Sequence, residues 1–341
     1  MKNDITYIHV IRMIACMMVV CLHSLPSHSY NLEVIDSLFK TGITIATTPC
    51  VPLFFMITGA LLLPIKTDPF VFWKKRISKV LYPLLIWGVI YSIIPYLLGE
   101  QSLYLTIKEI LLCPIKNPTL IGGILWYLYI LIGLYLIMPF IDANLYMNSK
   151  LQRIYLLIWG ISSFAWLIQM YEPSILGINI WEHNMNALSY FWGYLGFCVL
   201  GVFFNVNKIK IEGMKMSLIY GGCSILIGLS ILKIGGNLAE YSSSFLSIPS
   251  IIMTAVLFIY LKGCNIDTNG QFIKLIKNIS SLSFGIYLSH MVIYSCITNS
   301  LYQISTAWIM QFIVMTLTFI GAWGLSFLLS KMPFSKLIIG I

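Results

Sequence analysis

The sequence predicts an all-α polytopic membrane protein of about ten transmembrane helices with both termini in the cytoplasm. Three observations carry that prediction. Of the 341 residues, 59% are hydrophobic and only 10% charged, too apolar for a chain of this length to clothe in a polar exterior. Apolar stretches long enough to cross a bilayer recur from one end to the other. The basic residues between them alternate in density. With the first span leaving the cytoplasm, sixteen Lys and Arg fall in inner segments and four in outer ones. That asymmetry makes the net charge of +9 a topology signal rather than a sign of nucleic-acid binding.

The spans are expected at 5–25, 43–64, 77–98, 125–143, 152–170, 189–206, 215–234, 246–263, 280–301 and 306–330. No linker, repeat or low-complexity block interrupts them, so 1–341 reads as a single integral membrane domain. The first span is interrupted by Arg12 and followed by no small-x-small cleavage site, which predicts a permanent helix rather than a signal peptide. In the second, Pro49 and Pro52 remove backbone donors and predict a kink. Thr58-Gly59 there permits a close helix approach, with a hydroxyl placed to bond across it. The third span is preceded by Lys74, Lys75, Arg76 and Lys79, the fourth opens on Trp126, Tyr127 and Tyr129, and an outer loop with Glu172, Glu182 and His183 separates the fifth from the sixth. In the ninth, Tyr287, His290 and Tyr294 share one helix face. The eight cysteines are scattered without a CxxC pair, which predicts packing residues and no metal site.

Chemistry concentrates on the first helix. Arg12 and His23 have ten residues between them, and eleven steps of about 100° end roughly 20° past three turns, so both side chains share a face. They stand roughly 16 Å apart along the axis. An ionisable group inside a bilayer is costly enough to need a reason. A neutral imidazole can take a proton from a hydroxyl, and a guanidinium offers a fixed fork to phosphate or carbonyl oxygens. Lys75, Arg76 and Lys79 either anchor the inner membrane face or dock a phosphate-bearing ligand such as coenzyme A. Trp126 and Tyr127 are either an interfacial belt or a platform for a sugar. The Tyr287–His290 stripe either bonds to a neighbouring helix or lines a polar cavity. Neither a P-loop, a GxSxG elbow, a GxGxxG turn nor an HExxH helix occurs.

These residues resemble the acyltransferase 3 family of integral membrane acyltransferases over essentially the whole chain. A basic residue, ten intervening residues and a histidine on the first helix match Arg12 and His23. The strings VPLFFMITGALL, KKRISKVLYP, LWYLYILIGLYLIMP and SFGIYLSHMVIY follow in the family's order. Thr58-Gly59 stands where Ser-Gly is usual, Arg76 and Lys79 where two arginines are usual, and His9 near where an acidic residue often precedes the arginine. Length and a lone helical domain resemble the type that O-acetylates enterobacterial common antigen. The resemblance implies a multi-pass protein of the bacterial cytoplasmic membrane. It implies acyl transfer from acetyl-coenzyme A, or another acyl-coenzyme A, to a glycan hydroxyl, with no permanently bound cofactor. It further implies that His23 and Arg12 are catalytic and that Lys75, Arg76 and Lys79 bind the donor. Trp126, Tyr127, Thr58, Tyr287 and His290 would then bind substrate. A transporter of glycan or lipid is the competing reading, weakened because Pro49 and Pro52 have no counterpart in the second half of the chain.

Overall fold

A computed structural model of the chain describes residues 6–26, 32–118, 120–176, 193–234, 236–265 and 270–340, and among these the regular structure is all helical. Eight helical stretches are long and apolar enough to cross a membrane: Thr6–His23, Val34–Leu62, Pro69–Leu97, Gly123–Asp142, Gly213–Leu232, Leu238–Gly263, Gln271–Ile304 and Trp308–Ser330. Each coincides with one of the expected spans. The expected span at 152–170 lies inside the helix Ser149–Leu176, and that at 189–206 coincides in part with Leu195–Val206. Large apolar side chains are left on the outside, as on the last long helix, where Ile309, Phe312, Ile313, Leu317, Ile320 and Phe327 are exposed. Bilayer hydrocarbon is the solvent that such a face fits.

Contacts divide the chain into two compact units. The first comprises Met1–Leu22, Asn31–Pro64 and Asp142–Ser280. It holds α1 (Thr6–His23) as far as Leu22, α2 (Val34–Ala46), α3 (Cys50–Leu62), α7 (Ser149–Leu176), α8 (Leu195–Val206), α9 (Gly213–Leu229), α10 (Gly236–Ser243) and α11 (Ile248–Gly263). The second span breaks outright between α2 and α3. Pro49 occupies the N-cap of α3 and Pro52 its first turn, where a missing N–H is tolerated. Helices α3 and α8 meet backbone to backbone. A Cβ on Gly59 would fall 2.0 Å from the Cys198 carbonyl oxygen, and one on Gly201 2.0 Å from that of Met56. Lys262 closes α8, its Nζ donating to the carbonyls of Phe204 and Asn205 at the helix's negative end.

The second unit comprises His23–Tyr30, Ile65–Ile141 and Ser281–Ile341. Its helices are α4 (Pro69–Leu97), α5 (Leu103–Leu112), most of α6 (Trp126–Met147), α12 (Gln271–Ile304) beyond Ser280, α13 (Trp308–Ser330) and α14 (Ser335–Ile338). Asp68 caps α4, its carboxylate accepting from the N–H groups of Phe70 and Val71, with Pro69 in the first turn. Along α4, indole and phenol donors reach carbonyls on other elements. Trp73 Nε1 donates to Tyr135 at 3.0 Å, Trp87 Nε1 to Ile338 at 2.9 Å, and the Tyr91 hydroxyl to Leu288 at 2.5 Å. In an environment without water each such bond satisfies groups that would otherwise be stranded.

Candidate active site

The site is organised by α12. On it His290 is completely buried, and its Nδ1 lies 2.6 Å from the carbonyl oxygen of Tyr287, one turn earlier. A carbonyl only accepts, so Nδ1 carries the proton and Nε2 is left with a lone pair. That Nε2 is buried and, among the described residues, has no hydrogen-bond partner. The ring of His23 stands beside it, centroid to centroid 5.4 Å, at an interplanar angle of 48°. Two imidazoles therefore meet, one sealed and one partly buried.

His23 is the last residue of α1, and the chain after it is tied down by hydroxyls from α12. Tyr302 donates to the Ser24 carbonyl at 2.7 Å and Tyr294 to that of Leu25 at 3.0 Å. Among the described residues no hydrogen bond engages the His23 ring itself. The backbone is thus fixed while the imidazole keeps both nitrogens available, an arrangement suited to a group that must meet a substrate.

From His23 a series of rings leads to the start of α6. His290 lies 6.0 Å from Tyr287, Tyr287 5.5 Å from Tyr127, and Tyr127 6.5 Å from Trp126, the last two pairs close to edge-on. Tyr287 is fixed from other sides as well, its hydroxyl donating to the Ile124 carbonyl and its ring stacked on Phe284 at 6.3 Å. Of the stripe on α12, Tyr287 and Tyr294 bond to neighbouring elements and His290 to its own helix. Five residues singled out from sequence, His23, Trp126, Tyr127, Tyr287 and His290, form one contiguous cluster. Tyr91, which ties α4 to α12, and Tyr302, which holds the chain behind His23, were not legible beforehand. Both act on backbone carbonyls, which no spacing pattern marks.

The remaining nominated residues lie elsewhere. In the second unit, Lys75 and Lys79 line an open pocket of 280 Å³ together with Ser78, Tyr82, Lys336, Leu337 and Gly340. Arg76, a step of about 100° round the helix from Lys75, is not among the lining residues. In the first unit, Arg12 is half-buried on an unbroken α1. The His9 ring nitrogen Nδ1 sits 3.0 Å from the Ser280 hydroxyl, within electrostatic range of both Arg12 and Lys277. Among the described residues Thr58 does not bond across to another helix. Its hydroxyl donates to the Phe54 carbonyl at 2.9 Å, since a helical threonine reaches the carbonyl one turn back at no cost in geometry. Glu182 and His183 lie outside the described residues, as does the side chain of Glu172.

Comparison with curated proteins and with solved structures returned no match. The family model described as an acyltransferase domain matches residues 5–327, from the start of α1 into α13, and so contains His23, Arg12, His290 and the whole ring series. The chain belongs to the acyltransferase 3 family and is a multi-pass membrane acyltransferase.

Proposed function

We propose that this enzyme moves an acyl group, acetyl in the first instance, from cytoplasmic acyl-coenzyme A to a hydroxyl of a cell-surface or lipid-linked glycan. It would act in the bacterial cytoplasmic membrane as an O-acetyltransferase of the enterobacterial common antigen type. The observation that carries this reading is the ring series ending on an imidazole free of hydrogen bonds among the described residues. Sugars stack on aromatic faces, and acyl transfer to a hydroxyl needs a base at the attacking oxygen.

In this mechanism Trp126 and Tyr127 hold the sugar, and neutral His23 takes the proton of its hydroxyl as the oxygen attacks the thioester carbonyl carbon. The carbon–sulfur bond then breaks, and the imidazolium returns its proton to the departing thiolate, leaving an ester and a free thiol. His290, with its Nε2 lone pair beside the His23 ring, steadies that imidazolium. Arg12 directs its fork to the donor arm or the thioester oxygen, and Lys75 and Lys79 hold donor phosphates, with Arg76 adding charge at that face. The test uses protein in lipid nanodiscs supplied with acetyl-labelled coenzyme A and candidate glycans. Thiol release that depends on the glycan, with label passing to it, is expected. Absence of thiol release with every acceptor would return the transporter reading to the front. Label retained on His23 before acceptor is added would make that residue an acyl carrier instead of a base.

A further inference from the structure

Lys75 and Lys79 stand four apart on one face of α4, but the third amine of their pocket, Lys336, comes from α14. What brings it there is not charge. The Ile338 carbonyl accepts from Trp87 Nε1 at 2.9 Å, Ile339 is completely buried, and Gly340 adopts φ +70° against α4. The approach is close enough that a Cβ on Gly340 would fall 2.9 Å from the Lys79 carbonyl oxygen and 3.1 Å from the Phe284 ring. Apolar packing and backbone fit therefore press a cation toward two others.

Among the described residues that line it there is no Asp or Glu, and the Ser78 hydroxyl is spent on the Lys74 carbonyl at 2.6 Å. Three exposed lysines around one open pocket, with nine rotatable N–H donors and a phenol beside them, are complementary to a phosphate group. The pocket also adjoins the ring series, because Phe284 touches Gly340 on one side and stacks on Tyr287 on the other. From Phe284 to His290, α12 rises about 9 Å. Lys336 lies in the segment after α13, beyond the residues that the family model matches, 5–327.

We infer that Lys75, Lys79 and Lys336 together seat a phosphate group, with Lys336 its specificity-determining member. Assigning that phosphate to the acyl donor rests on the function proposed above; a bilayer phospholipid headgroup carries the same chemistry. The experiment uses the full chain in nanodiscs of neutral phosphatidylcholine, titrated calorimetrically with coenzyme A, alongside discs containing phosphatidylglycerol in which lipid retained through detergent exchange is quantified. The variants are Lys336→Gln, Lys336→Arg and Lys331→Gln, the last an exposed lysine resting on Phe327 outside the pocket. Lys336→Gln is expected to weaken coenzyme A about tenfold in neutral discs, as loss of a charged hydrogen-bond donor does. Lys336→Arg should recover most of the affinity and Lys331→Gln should match wild type, with all three melting at the wild-type temperature. Unchanged coenzyme A affinity with phosphatidylglycerol retention lost in Lys336→Gln would support the seat and identify its phosphate as lipid. Both measurements unchanged in Lys336→Gln would overturn it. Failure of wild-type acetyl transfer with Lys336-dependent binding intact sinks the donor reading alone. Intact transfer with Lys336-independent binding sinks the seat alone.

Discussion

At His23 the structure separates what must be rigid from what must react. The carbonyls of Ser24 and Leu25 accept from Tyr302 and Tyr294, so the backbone after the imidazole is anchored while the ring is not. Tyr302→Phe should therefore lower stability by about 1–2 kcal/mol, the penalty of a buried carbonyl left without its donor. It should also reduce turnover more than donor affinity, because the base loses its placement. Thermal unfolding in detergent and separate kcat and KM values check both, and a KM effect alone would point to a role in binding. Arg12 supports a second prediction. Arg12→Lys keeps the charge and loses the planar fork, so transfer should fall at least about tenfold if the guanidinium grips an oxygen pair. Equal initial rates in the two proteins would reduce Arg12 to a structural charge.

Between elements, the α3–α8 contact is the most constrained. Gly59 and Gly201 each face a carbonyl of the other helix, at 2.0 Å from an added Cβ, so no side-chain rotation can relieve the overlap. Gly59→Ala should cost several kcal/mol, beyond the usual ~1–3 kcal/mol of overpacking, and show as loss of folded yield by size-exclusion chromatography. Gly133→Ala, where nothing lies within 4 Å of the new atom, should be neutral or slightly stabilising. Helix approach at Thr58-Gly59 was legible in the sequence because a small residue in an apolar helix has few other uses. The partner was not. In lipid both faces of a helix are apolar, so the hydrophobic period that orients a soluble helix carries little direction here. For the same reason Lys336 read only as an inner-face charge, and its place beside Lys79 depends on packing that brings distant segments together.

For the molecule as a whole, the all-helical membrane architecture followed from apolar run length, since span length is set by bilayer thickness rather than by packing detail. Helix ends were less visible. Helix α12 begins at Gln271 and α2 at Val34, both nine residues ahead of the expected spans at 280 and 43, because polar residues extend a helix past the hydrocarbon where backbone bonding still favours it. The charge asymmetry makes a topological prediction. A cysteine at Lys108→Cys should react with an impermeant maleimide in intact cells, and those at Lys210→Cys and Lys336→Cys only after permeabilisation. Labelling of Lys336→Cys from outside would invert the orientation and place the lysine pocket away from cytoplasmic donors. The ring cluster was half legible: His23, Trp126, Tyr127, Tyr287 and His290 stood out as polar or aromatic groups in lipid-spanning runs, but the meeting of His23 with His290 required the fold. That imidazole is the centre of the proposed chemistry, and its removal is the most direct test. In nanodiscs with acetyl-coenzyme A and a competent glycan, His23→Ala should transfer acetyl about a thousandfold more slowly than wild type while melting at the same temperature, the loss typical of a general base. A His23→Ala enzyme working within about tenfold of wild type would contradict the account.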